Sequence, residues 1–176
     1  MRTTRYWLTA ACALLLALVS VPTTSTQAQE TTEEPQETLI ITAAWQPFEN
    51  GVLFWNSFGS PNDEIWVLVD DGGNLDDGRG TLYVRIDQWP GEAVSTTNCA
   101  IDPVRGFGYL YNRLEAGIRE DLGCPLGDEI GYDGSVVIDS VNLTFSIDGP
   151  GATVYSGTLS NNSVPTTGTW QTDVFF

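Results

Sequence analysis

Glu64, Trp66, Tyr83 and Arg85 fall within one predicted hairpin, and their types suit sugar recognition. Aromatic faces stack on sugar rings, while a carboxylate and a guanidinium supply directed polar contacts. One pairing register sets Glu64 opposite Arg85, Ile65 opposite Val84 and Trp66 opposite Tyr83. It gathers Ile65, Val67 and Val69 with Leu82, Val84 and Ile86 on one face, and sends Trp66 and Tyr83 to the other. The expected result is an aromatic platform, unless a helix covers that face.

Other chemistries fare less well. Asp70 to Gly78 is the densest acidic stretch, and oxygen ligands between glycines suit Ca²⁺. Gly72 occupies the third position, however, and no Glu closes the loop, so the expected role is a solvated turn without a tight metal site. The chain has no His and no Lys. Ser-His-Asp and Cys-His nucleophiles, His-ligated zinc or iron and Lys Schiff bases are therefore excluded. Paired carboxylates could hydrolyse glycosides, but among 23 acids the sequence marks no pair as buried. A non-catalytic protein without cofactor is the expectation.

The ends fix the expected compartment. Arg2 and Arg5 precede an uncharged apolar run from Tyr6 to Val21, Pro22 breaks it, and Thr26-Gln27-Ala28 is a small-x-small cleavage site. This is the pattern of a signal peptide spanning 1–28, and the run is short for a membrane span. Residues 29–38 are polar and read as a disordered linker. Residues 39–176 then form one domain. Two of the seven Arg precede the cleavage point, so five Arg face 23 acids and the mature net charge becomes −18. Such a chain cannot neutralise nucleic-acid phosphates and is repelled by anionic membranes. In an exported protein the remaining pair, Cys99 and Cys124, is expected to form a disulfide.

The elements follow from local patterns. Phe48-Glu49-Asn50-Gly51 reads as a turn, with Asn-Gly supplying positive φ. Val52–Trp55, Ile65–Val69 and Thr81–Ile86 read as strands, and residues 89–103 as irregular. Leu110, Leu114, Ile118 and Leu122 form one apolar stripe, predicting a helix over 110–122 that ends at Gly123 and Pro125. Residues 136–138, 142–146, 152–155 and 170–176 read as further strands. A weak repeat aligns Leu53 and Trp55 with Leu143 and Phe145, Ile65-Trp66 with Val154-Tyr155, and Gly80-Thr81-Leu82 with Gly168-Thr169-Trp170. The predicted fold is mainly β: a small sandwich or a propeller-like array of hairpins with one helix.

Several short segments carry a resemblance. Gln46-Pro47-Phe48-Glu49-Asn50-Gly51, Trp55, Ile65-Trp66-Val67-Leu68, Arg105-Gly106-Phe107-Gly108, Leu122-Gly123-Cys124-Pro125 and Glu129 are similar in style to LGFP-type repeats of exported bacterial proteins. The tetrad itself differs, with Cys124 where that pattern has Phe. The resemblance implies a non-catalytic envelope role and transfers no functional residue. The expected protein is secreted or cell-surface, and binds or supports cell-wall glycan. The alternatives are a secreted carboxylate hydrolase and a protein-interaction or inhibitor module.

Overall fold

The computed structural model describes residues 37–59, 61–72 and 78–172. The expected signal peptide and most of the linker lie outside them. Eight antiparallel strands close into a barrel in the order β1-β2-β3-β4-β8-β7-β6-β5. They are β1 (Glu37–Phe48), β2 (Gly51–Asn56), β3 (Glu64–Asp70), β4 (Arg79–Ile86), β5 (Ile130–Asp139), β6 (Thr144–Asp148), β7 (Val154–Leu159) and β8 (Thr166–Thr172). Closure replaces the expected sandwich or propeller. It pairs every strand on both sides and so leaves no open sheet edge. β1 begins at Glu37, so the last two residues of the expected linker are paired, Glu37 with Ile138 and Thr38 with Val137.

Two up-and-down meanders, β1–β4 and β5–β8, make the barrel, joined where β1 meets β5 and β4 meets β8. The residues of the weak repeat fall on β2 and β3 against β6 and β7, and on β4 against β8, except Leu143, which precedes β6. Trp66 and Tyr155 lie in one buried cluster, as do Leu82 and Trp170. Trp55 and Phe145 do not correspond: Phe145 faces the interior and Trp55 packs on the outer cluster.

All eight strands contribute to the inner cluster. An eight-stranded barrel is just wide enough for side chains to fill, and aromatic rings fill this one. Trp66 meets Phe145 edge-on at 4.9 Å, and Phe54 meets Tyr155 at 5.0 Å. The Trp170 indole donates across the interior to the Val69 carbonyl at 3.0 Å. Burial pushes the Tyr155 hydroxyl up to about 12, against a smaller opposing effect of Trp45, as expected in a dry interior.

A second core lies outside the barrel. β4 pairs with β8 and β5 with β1, so the segment between β4 and β5 must pass over the first meander. It carries α1 (Arg105–Tyr111) and α2 (Ala116–Leu122). Phe107, Tyr111, Leu114 and Leu122 pack on Ala44, Phe48, Leu53, Ile65, Val67 and Val69. The predicted single helix is thus two. Glu115 takes an extended conformation (φ −52°, ψ 141°), and the bend lets four buried residues reach one core. Leu110 and Ile118 of the expected stripe pack only partly against it.

The far end of this segment clasps the β1–β2 turn. Glu49 and Cys124 exchange a backbone bond of 2.9 Å and a bond of 3.0 Å to the Glu49 carboxylate. The Asn50 side chain donates to the Asp121 carbonyl. Neither Asn50 nor Gly51 has positive φ. Gly51 is required by close approach instead: a Cβ there would lie 2.0 Å from the Leu68 carbonyl oxygen. The Cys99–Cys124 disulfide, with Cα atoms 5.6 Å apart, ties the irregular stretch to the clasp.

Candidate functional site

The expected platform does not form. β3 and β4 pair one residue away from the predicted register: Ile65 faces Arg85, Trp66 faces Val84 and Val67 faces Tyr83. Alternation could not fix the register because β3 is apolar on both faces, one lining the barrel and one under the helices. Trp66 is 1% exposed inside the barrel. Tyr83 packs partly against the outer core. Arg85 reaches Glu115 at 4.0 Å and lies over the Tyr83 ring. Glu64 and Trp66 therefore act together within the barrel, while Tyr83 and Arg85 lie on the other face.

Glu64 accepts the Trp66 indole N–H at 2.8 Å. Burial raises its carboxyl above the ordinary Glu range, and the indole partly opposes this. A carboxyl raised on folding favours the folded state when protonated, and that advantage fades as pH rises through its folded value. Glu64→Gln keeps a side-chain acceptor for the indole and removes the buried charge. The variant should melt higher than the parent at neutral pH and show no gain below the ordinary Glu range. Melting curves across that pH interval check this.

In the acidic loop, residues 73–77 lie outside the described residues. Asp70 accepts the Gly72 N–H and Asp71 accepts the Thr81 hydroxyl, which is turn chemistry. No group of three or more metal-ligating side chains occurs among the described residues.

A different arrangement stands out on the barrel exterior. Beside the outer faces of β1 and β2, the β4–β5 segment leaves a recess of about 300 Å³, at the small end of ligand sites. Trp55, Trp89 and Phe107 wall it, and Asp87, Arg105 and Glu129 add charge. Trp55 projects outward because β2 alternates, with Phe54 going inward. Asp87 follows the end of β4 and is held at both oxygens. The Trp55 indole N–H donates to Oδ2 at 2.9 Å and the Trp89 backbone N–H to Oδ1 at 2.9 Å. The Trp89 indole donates to the Glu92 carbonyl at 2.8 Å, which orients the ring.

The first turn of α1 completes the wall. Gly106 lies so close to Asp87 that a Cβ would sit 3.0 Å from its carboxylate. Arg105 has a left-handed backbone (φ 50°), a conformation that costs a non-glycine residue about 1–2 kcal/mol. Its guanidinium donates to Glu129 at 3.2 Å. The Arg105 side chain is 67% exposed and that of Glu129 only 14%, so the carboxylate sits deeper than its partner.

Sequence reasoning assigned none of these residues to a site. Trp55, Arg105, Phe107 and Glu129 all belong to the short segments that carried the LGFP resemblance, and that clustering was the available signal. Trp89 begins the stretch read as irregular. No family model, curated protein or solved structure matches the chain.

Proposed function

We propose that this protein is a non-catalytic extracellular module that binds cell-envelope glycan in the Trp55–Trp89 recess. One observation carries the reading: two tryptophans and a phenylalanine wall a small recess whose carboxylates and guanidinium are held by hydrogen bonds. Indole faces cover the apolar face of a sugar ring, and fixed polar groups select its hydroxyls. The Cys99–Cys124 bond supports an oxidising compartment.

The carboxylates support binding over hydrolysis. Both oxygens of Asp87 accept protein donors, and Glu129 is paired with Arg105. General acid catalysis needs a carboxyl free to give its proton to the leaving group.

The test is retention of the mature protein on insoluble cell-wall polysaccharide. The expected result is retention without release of sugar ends. Trp89→Ala should weaken it by more than about 1 kcal/mol, or roughly fivefold or more, and leave the melting temperature nearly unchanged. Sugar release would favour the carboxylate hydrolase. Absence of retention on glycan, with capture by a protein partner, would favour an interaction module.

A further inference from the structure

We infer that the recess selects a cationic sugar, a hexosamine unit with a free protonated amine, over neutral N-acetylated or acidic sugars. This rests on the recess being the glycan site and goes further by naming the ligand's charge. The first observation is the overall field. With no Lys and no His, the chain carries a formal net charge of −16. Such a field repels anionic polymers and draws cations toward a cleft.

The second observation is local and independent. Asp87 and Glu129 bring two negative charges to the recess and Arg105 brings one positive, which leaves it one negative. The Glu129 side chain is 14% exposed and that of its partner Arg105 67%, so solvent screens the guanidinium more than the carboxylate. Indole rings also attract cations through their negative faces, with Trp the strongest of the aromatic residues in this respect. A free amine on a sugar ring uses all three features. The ring stacks on indole, and the ammonium donates to carboxylate with charge assistance.

The experiment titrates the mature protein with two probes, a short β-1,4-linked glucosamine oligomer and the same oligomer fully N-acetylated. Spermine serves as a sugar-free polycation. The glucosamine oligomer should bind about tenfold or more tightly than its acetylated form near 0.1 M salt. That preference should shrink near 1 M salt, where the screening length falls from about 10 Å to about 3 Å. Glu129→Gln should lower affinity for the glucosamine oligomer several-fold more than it lowers affinity for the acetylated one, so the preference between the two probes shrinks. The comparison of probes on the unaltered protein decides the question even if a variant folds poorly. Equal or tighter binding of the acetylated oligomer would overturn the charge preference and leave the glycan site standing. Spermine binding as tightly as the glucosamine oligomer would overturn it by exposing general polycation attraction. Binding of neither oligomer would retire both readings.

Discussion

Trp66→Ala should destabilise the protein by about 3–5 kcal/mol, the range for removing a large aromatic from a packed core. Trp66 is 1% exposed and packs edge-on against Phe145 from the opposite meander. Its loss removes a ring that joins both halves of the barrel. It also deprives the Glu64 carboxylate of its indole donor, and a buried carboxylate without a partner adds to the cost. Equilibrium urea unfolding reads the change directly. A shift within about 0.5 kcal/mol, as expected for an exposed residue, would mean that Trp66 is not a barrel core residue.

The next largest effect should come from the disulfide. Cys99 and Cys124 are 25 positions apart, and in the chain-entropy model a loop of that size contributes about 3.5 kcal/mol. Changing both to Ser should lower stability by roughly that amount. The consequence should reach the recess as well. Cys124 anchors the β4–β5 segment to Glu49, and that same segment carries Trp89, Arg105 and Phe107. Glycan retention by the double variant should therefore fall with its melting temperature. An unchanged melting midpoint would contradict the account of the clasp.

Local chemistry was legible in the sequence where a single element decided it. The β3–β4 hairpin and the end of α2 at Gly123 follow from short patterns, whereas the turn at Glu49-Asn50 lies where the pattern put it but without the positive φ expected of Asn50-Gly51. β1 was not legible: Leu39 to Trp45 is apolar at every position but Thr42, so no polar alternation marks a strand even though Ile40 and Thr42 are exposed and Ile41 and Ala43 are buried. In β3, burial on both faces hid the register with β4. The bend at Glu115 was invisible because an apolar stripe reads equally well for one helix or two. Barrel closure depends on pairings such as Trp45 with Ile130 and Gly80 with Trp170, which no local pattern encodes. The recess depends on closure in turn. It gathers Trp55, Trp89, Arg105 and Glu129 only because the β4–β5 segment must cross the outside of the first meander.

The location of the binding site is the central claim, and the tryptophan indole N–H signals test it most directly. In a ¹⁵N-labelled mature protein, each indole reports its own surroundings during titration with a chito-oligosaccharide. Trp55 and Trp89 should shift together and saturate with one affinity, while Trp66 and Trp170 inside the barrel stay in place. Shifts confined to other indoles, or saturating binding that leaves Trp55 and Trp89 unmoved, would contradict it.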